Sequence, residues 1–337
     1  MPRRFQFALC AALLPCLMAA VFFTPAAGQD AELEIRARAR VLPDVGPGLI
    51  ALKRDAAGRY FVAASPANQV SIFSAEGKRV GQIPGASSQD ATKNAKIVFA
   101  ADFDVDSAGR VLVADRGANA IKIFSADSSL AITIPFAAPT SIAALPGDEF
   151  AATSLRYKWL LAIYGDNGKL TRAFGEPHDF FAGFDSSRTP DLGRVSSDPA
   201  GNLYFVFSFL PVPTMRRFDR FGYAGNEISL DEFAPNSTRR DLLSLDRRDT
   251  SQAKPQINAL GVDPLTQEIW LAVGGDLLRF ENLGARLGAY HTLSPSGAPL
   301  VPKTILVEKD RLLIGTDSFG VFDFAKPAKI PARSSAH

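Results

Sequence analysis

Asp102 and Asp104, two aspartates at alternate positions, are the residues of this chain best placed to do chemistry. Residues two apart on a β-strand point to the same side, so both carboxylates would share one face. Lys53, Arg194 and Ser196 occupy equivalent strand positions in other segments of the chain, described below. Buried charges must pair or bind something. Mutual pairing and a bound ion or anionic ligand are therefore two alternatives for this cluster.

Few other residues offer metal or nucleophile chemistry. The histidines are His178, His291 and His337, which are widely separated. Both cysteines, Cys10 and Cys16, lie in the first apolar stretch. The sequence has no HExxH motif, no phosphate-binding glycine loop and no recognisable nucleophile–base pair. Asp102 and Asp104 are thus the candidate metal ligands, if a divalent ion occupies this cluster. No other cofactor is expected.

Aromatic residues suggest a second candidate site. Residues 175–193 contain His178, Phe180, Phe181 and Phe184, while Tyr157, Trp159 and Phe209 lie in nearby turns. Such side chains either pack over adjacent strands or line a ligand site. Residues 231–256 carry balanced charges, which predict a solvated lid with a short helix over residues 238–249.

The elements that would position these residues are repeated. Residues 58–73 and 109–124 share Gly, Asn and Phe at identical offsets, and four looser copies follow. Most copies place a glycine four residues after the final aromatic, although the second has Ser128 after Phe124. Asp-x-x-Gly turns begin at Asp55, Asp106 and Asp198. Each unit therefore predicts four antiparallel strands, which is a propeller blade rather than part of a β-sandwich.

The two best copies resemble NHL repeats, whose pattern is Gly-x-hydrophobic-x-Val-Ala-Asp followed by Asn-x-hydrophobic-x-hydrophobic-Phe. The resemblance implies an all-β, six-bladed propeller and no particular activity. Related amidating lyases need several metal-binding histidines, which this chain lacks. Propeller lactonases similar to gluconolactonase use Glu, Asn and Asp from inner strands. Here Asp102, Asp104 and Asn258 are the inner candidates, and no inner Glu is evident.

The last repeat lacks a fourth strand. Residues 33–42 alternate apolar or small residues with charged ones, which is typical of a half-exposed edge strand. We expect this N-terminal strand to complete the sixth blade and cover its edge. The propeller is predicted to span residues 30–327, and residues 328–337 are predicted to form a flexible tail.

The N-terminus predicts export. Arg3 and Arg4 precede an apolar stretch and a small-residue site, the order of a secretory signal cleaved near residue 28. A membrane anchor is the alternative, but the small-residue site favours cleavage to a periplasmic or secreted protein. The mature chain would then have no cysteine and 35 basic against 35 acidic residues. This balance argues against nucleic-acid binding, and no later segment could span a membrane.

The predicted connections between blades are long at residues 84–96, 175–193 and 231–256, all on one face of the ring. Long loops usually carry function. The sequence therefore predicts a non-catalytic recognition or scaffold propeller, monomeric, that binds a protein, peptide or glycan on this face. The alternative is a metal-dependent, lactonase-like hydrolase or lyase that uses the channel carboxylates.

Overall fold

Hairpins form where the repeat places aspartate and glycine. The computed structural model describes residues 33–84, 95–177, 192–233, 254–318 and 320–328. Asp55 accepts the backbone N–H of Arg59 at 2.8 Å, and Asp106 accepts that of Arg110 at 2.9 Å. Ser128 adopts a φ of 72°, the left-handed conformation that glycine adopts in the other copies. The irregular second copy therefore closes its turn like the others.

The described strands form six sheets, one for each blade. Blade one contains β3 Leu49–Arg54, β4 Tyr60–Ala64, β5 Val70–Phe73 and β6 Arg79–Ile83; blade two contains β7 Ala100–Val105, β8 Val111–Asp115, β9 Ala120–Phe124 and β10 Leu130–Pro135. Blade three contains β11 Pro139–Ala144, β12 Phe150–Ser154, β13 Leu161–Tyr164 and β14 Leu170–Phe174; blade four contains β15 Gly193–Ser197, β16 Leu203–Phe207, β17 Thr214–Phe218 and β18 Ala224–Ser229. Blade five contains β19 Ile257–Val262, β20 Ile269–Val273, β21 Asp276–Phe280 and β22 Arg286–Leu293; blade six contains β23 Pro302–Val307, β24 Arg311–Thr316 and β25 Gly320–Ala325.

The first strands of the blades surround a central axis. Each inner strand contacts the next, from β3 through β7, β11, β15 and β19 to β23, and β23 contacts β3 again. Within each blade the consecutive strands pair antiparallel. The predicted all-β, six-bladed propeller is therefore confirmed.

The aromatic at the end of each third strand packs between blades. All six are buried: Phe73, Phe124, Tyr164, Phe218, Phe280 and Phe324. The described core residues group into six clusters, one at each junction between neighbouring blades. Burying one large apolar side chain contributes about 2–3 kcal/mol. The repeated aromatic is thus a packing residue, which explains its regular spacing.

The N-terminal segment closes the ring differently from the prediction. Its second half, β2 Ala39–Val41, pairs antiparallel with β25 and completes blade six, as expected. Its first half, β1 Leu33–Arg36, pairs parallel with β22 of blade five instead. The switch occurs at Ala37 and Arg38, whose amides bond Leu293 of blade five and Asp323 of blade six, respectively. One predicted strand is therefore two, and together they bridge both blades.

The C-terminal end of the described chain crosses the same junction. The Lys326 ammonium pairs with the buried Asp263 carboxylate of blade five. Arg279 of blade five donates to the carbonyl oxygen of Pro327 at 2.9 Å. Both ends of the propeller thus bind blade five and blade six.

Several predictions fall on residues that the structure does not describe, namely 1–32, 85–94, 178–191, 234–253, 319 and 329–337. They include the signal peptide, the helix over residues 238–249 and the tail. In the described part, residues Asp231–Phe233 form a 3-10 turn. No helix there is long and apolar enough to cross a membrane.

Candidate functional site

Antiparallel pairing divides the connections between two faces of the ring. The long-loop face carries the links between blades and the turns between second and third strands. The turn face carries the short turns between first and second and between third and fourth strands. His178, Phe180, Phe181 and Phe184 lie outside the described residues, so their proximity to a ligand stays a prediction.

The predicted channel charges meet near the axis. Lys53 of β3 places its Nζ 3.2 Å from Asp104 Oδ1, while Asp104 Oδ2 accepts the Ala144 amide at 2.9 Å. Asp102, 4% exposed, accepts a hydrogen bond from the Ser141 hydroxyl. These carboxylates of blade two are therefore bound by groups of blades one and three. The arrangement ties three blades together at the axis.

Burial sets the protonation of this cluster. Desolvation raises the pKa of Asp102, although Arg194 and Lys53 oppose the shift. Desolvation lowers the pKa of Lys53, but the attraction of Asp104 and Asp102 outweighs it and leaves this pKa raised. Lys53 consequently stays cationic at neutral pH. The cluster holds two acidic and two basic side chains, which can pair with each other.

Arg194 crosses the channel. It begins on β15 of blade four, and its Nη1 donates to the Ile50 carbonyl oxygen of blade one at 3.2 Å. The cavity beside it has a volume of about 40 Å³ and is lined by Ala51, Leu52, Lys53, Asp102, Arg194, Val195, Leu260, Thr304 and Ile305. One water needs about 10–15 Å³ in such a measure, so the cavity accommodates a few waters and no sugar or peptide. Ser196 and Asp104 are not among its lining residues.

The residues present fit a divalent metal poorly. Two cations, Lys53 and Arg194, lie close enough to interact with Asp102 and Asp104, and they would repel a metal ion. Among the residues that the structure describes, no group of three or more His, Cys, Asp or Glu side chains is arranged to hold one. A metal at this position therefore stays a prediction that the donor set does not favour.

The predicted aromatics of blades three and four lie on the long-loop face. Trp159 is half-buried, and the Lys158 ammonium lies 4.9 Å from its ring centroid. Tyr157 packs against Phe136, with 5.8 Å between ring centroids, and thus has a structural contact. Phe209 is half-buried in the equivalent turn of blade four. Trp159 and Phe209 keep part of their surface available to a ligand.

A buried ion pair fixes part of the blade-two surface on the long-loop face. This pair was not predicted in the sequence analysis. Asp115 and Lys122 side chains are 0% and 4% exposed and meet at 2.8 Å. Asp115 also accepts the backbone N–H groups of Val98 and Phe99, at 3.0 and 2.9 Å. The Lys122 ammonium donates to the Lys96 carbonyl oxygen. The pair thus fixes the backbone of residues 96–99 just before β7.

The side chains held in this way face solvent. Val98 is 57% exposed and Phe99 is 43% exposed, although both amides are bonded inward. Gly117 makes room for the arrangement, since a Cβ there would lie 2.6 Å from Val98 Cγ1. A side chain at this position would push the segment away. Val98 and Phe99 are therefore presented by a preformed backbone.

This surface continues onto blade three through backbone contacts. Asn119, in the turn after β8, accepts the Phe136 amide at 2.9 Å, and its Oδ1 accepts the Ala138 amide at 2.9 Å. The Ala138 carbonyl accepts the Leu155 amide at 3.4 Å. Residues 96–99, 116–119, 136–138 and 155–160 therefore form one connected surface, here called the blade 2–3 patch.

Four exposed cations belong to the blade 2–3 patch: Lys96, Arg116, Arg156 and Lys158. Among the described residues, none of their side chains has a hydrogen bond or ion pair, and Lys158 instead contacts the Trp159 ring. The carboxylate in this part, Asp115, is buried and already paired. The patch is therefore basic and partly apolar.

The buried ion pair beneath the blade 2–3 patch could be recognised in part from the sequence. Lys122 stands alone in the apolar strand Ala-Ile-Lys-Ile-Phe, whose five residues are all buried. A lysine in such a strand must find a buried partner. Asp115, the aspartate of the Val-Ala-Asp motif, was the available candidate. No pattern in the sequence signalled that Val98 and Phe99 are exposed.

Known proteins share the fold of this chain. No protein-family model matches it, and no curated protein does, so the NHL resemblance stays a prediction. Similar solved structures include a streptogramin B lyase, with a TM-score of 0.54 and 13% identity over 85% of this chain and 86% of that one. Virginiamycin B lyase from Staphylococcus aureus has a TM-score of 0.52 and 14% identity, over 86% and 88% of the chains. The RRP9 WD40 repeats have a TM-score of 0.56 and 12% identity, over 87% and 99%. At such identities the likeness shows the propeller fold alone.

Proposed function

We propose that this chain is an exported, non-catalytic recognition propeller that binds a partner on its long-loop face. The observation that carries the proposal is the blade 2–3 patch, where exposed apolar side chains lie on a fixed backbone beside cations that pair with no carboxylate of the described residues. Aromatic residues and arginine are the types that dominate binding energy at interfaces. Export is supported by the N-terminal sequence, from Arg3 to the small residues before residue 28.

The fold is compatible with this role. Propellers similar to this one include both the WD40 repeats of RRP9 and lyases, so fold alone does not choose between binding and catalysis. The channel cavity of about 40 Å³ accommodates only a few waters, which supports a ligand on the surface. The predicted partner classes remain a protein, a peptide or a glycan.

The test compares two pairs of exposed apolar residues on opposite faces. The Phe99→Ser/Trp159→Ala variant alters the long-loop face, and the matched Phe221→Ser/Tyr223→Ser variant alters turn-face aromatics that are 63% and 76% exposed. Envelope proteins and glycans captured by the purified wild type are identified by mass spectrometry. We expect reproducible partners to be lost with the first variant and retained with the second. Loss with the second variant alone would place binding on the turn face and contradict the proposal.

The enzymatic alternative has its own measurement. Elemental analysis of protein purified without chelator, beside a lactone-hydrolysis assay, separates the two functions. A stoichiometric divalent ion that is lost in Asp102→Asn/Asp104→Asn would favour the hydrolase or lyase. Exported protein that begins with Met1 or Pro2, instead of residues 27–30, would contradict the cleaved signal peptide.

A further inference from the structure

We infer that the partner of the long-loop face is an acidic peptide segment with apolar side chains, bound across the blade 2–3 patch. This inference rests on the proposed recognition function and specifies its ligand. It follows from charge, from the type of exposed surface and from the rigidity of the backbone beneath it.

Charge is the first argument. Lys96, Arg116, Arg156 and Lys158 are exposed, and their side chains pair with no carboxylate among the described residues. In the same connections of blades two and three, the described residues include one exposed carboxylate, Glu176. A cationic surface of this kind attracts an anionic partner and repels a basic one. Complementary carboxylates on the partner would make charge-assisted hydrogen bonds with Arg116 and Arg156.

The exposed apolar groups favour a peptide over an acidic glycan. Val98, 57% exposed, is a branched aliphatic residue that gains by burial against another apolar side chain. Sugar hydroxyls need side-chain acceptors and donors at fixed positions. In the described patch, the amide oxygen of Asn119 is already bonded to Ala138, and Asp115 is buried. Aspartate or glutamate interspersed with leucine or phenylalanine matches both the charge and the apolar surface.

The patch is also preorganised. Asp115 bonds the amides of Val98 and Phe99, so this backbone loses little freedom when a ligand binds. Preorganisation lowers the entropic cost of association. Asn119 fixes the link to blade three through Phe136 and Ala138. A short linear segment can therefore bind without a rearrangement of blades two and three.

The experiment selects ligands from a random 12-residue peptide library displayed on phage, with the mature wild-type protein as target. We expect the enriched peptides to carry a net negative charge and at least one large apolar residue. An enriched peptide, labelled with fluorescein, is then titrated by anisotropy. Arg116→Gln/Arg156→Gln should weaken its binding at least tenfold, and so should raising NaCl from 50 to 500 mM. Val98→Ser should also weaken it.

The matched control removes two exposed lysines of the turn face, Lys169→Gln/Lys309→Gln. It should change the affinity less than twofold, and all variants should have the wild-type melting temperature. Enrichment of neutral or basic peptides, or equal binding to Arg116→Gln/Arg156→Gln, would overturn the inference. If those peptides still require Phe99 and Trp159, recognition on the long-loop face stands.

A titration with an acidic glycan distinguishes failure of the peptide inference from failure of the proposed function. Oligogalacturonate is titrated against the same variants. If no peptide is enriched and oligogalacturonate binds through Arg116 and Arg156, the peptide inference fails and the proposed function survives. If both arms fail and captured partners do not depend on Phe99 and Trp159, both proposals fail.

Discussion

Two hairpin arginines of the turn face and two arginines of the blade 2–3 patch use their charges in different ways. On the turn face, Arg59 pairs with Asp55 at 2.7 Å and Arg110 with Asp106 at 2.5 Å. On the blade 2–3 patch, Arg116 and Arg156 have no such partner among the described residues. Arg59 and Arg110 follow their aspartates by four residues and stabilise hairpins, so their charges are paired within the fold. Arg116 and Arg156 are therefore available to a ligand as far as the described residues extend.

The largest expected effect comes from Lys122→Met, which removes the buried ion pair with Asp115 beneath the blade 2–3 patch. Asp115 is 0% exposed and would lose its cationic partner. Losing one partner of a buried pair costs about 3–5 kcal/mol in the free energy of unfolding. Urea denaturation measures the loss. Lys122→Met/Asp115→Asn, which removes both charges, should recover part of it.

Arg279→Met provides the matched control for this comparison. Arg279 and Glu268 form another buried pair, 4% and 3% exposed, in blade five. We expect Lys122→Met and Arg279→Met both to lose stability, but only Lys122→Met should speed hydrogen exchange at the Val98 and Phe99 amides. Equal exchange in the two variants would show that the Asp115–Lys122 pair does not hold the patch.

Truncation after Ala325 should break the turn-face clasp, which is formed by the two contacts of residues 326 and 327 with blade five. It removes Lys326, whose ammonium pairs with the buried Asp263, and Pro327, whose carbonyl accepts from Arg279. We expect a loss of about 3 kcal/mol in urea denaturation, because a buried carboxylate loses its cation. Truncation after residue 328 keeps both contacts and should match the full-length protein. Equal stability of the two truncated proteins would contradict the clasp.

Tyr204, whose hydroxyl donates to the turn-face Asp198 carboxylate at 3.1 Å, makes the stability of the protein sensitive to alkaline pH. Burial, reinforced by Asp198, raises the pKa of Tyr204 to about 12. The unfolded chain loses this proton near pH 10, whereas the folded chain keeps it. Stability should therefore fall as pH rises from 10 towards 12, by at most about 1.4 kcal/mol per pH unit.

Tyr204→Phe removes this contribution, so its stability should fall less steeply above pH 10. Urea midpoints between pH 8 and 11.5 report the difference. Below pH 9 the two proteins should have parallel stability curves. Parallel curves above pH 10 as well would show that Tyr204 titrates alike in the folded and unfolded chains.

The smallest effect tests the comparison most directly. Arg110→Gln removes the pair with Asp106 and should cost about 1 kcal/mol in thermal or urea unfolding. Arg116→Gln removes an exposed cation without a described partner and should change stability by less than about 0.5 kcal/mol. If Arg116→Gln costs as much as Arg110→Gln, Arg116 has a structural role and the contrast between the faces is wrong.

Much of the fold was predictable because its turns and its buried aromatic residues repeat. Asp-x-x-Gly marks the first turn of a blade, and the aromatic of the third strand is buried at every junction. The split of residues 33–42 was not predictable in this way. Alternating exposure suits any edge strand, and it does not say which neighbour the strand will pair with. The change from blade five to blade six occurs at Ala37 and Arg38, whose backbone amides donate to different blades.

The site was less predictable than the fold. Counting back from the turn aspartates placed Lys53, Asp102 and Arg194 near the axis, where the structure also has them. The exposure of Val98 and Phe99 depends on hydrogen bonds that their backbone amides donate to the Asp115 carboxylate. Periodicity carries no information about such a contact. Its nearest signal was the solitary Lys122 in a buried strand.

The double attachment of the N-terminal segment has a consequence for how the molecule folds. Leu33 pairs with Tyr290, and Val41 pairs with Val321, so these contacts join opposite ends of the chain. Contacts of such high sequence separation form slowly, because a long loop must close first. Until then the β25 edge and the β22 edge stay unpaired and can recruit other chains. Ring closure is therefore the step at which a folding molecule is most exposed to aggregation, and premature release of the segment would recreate that risk in the finished protein.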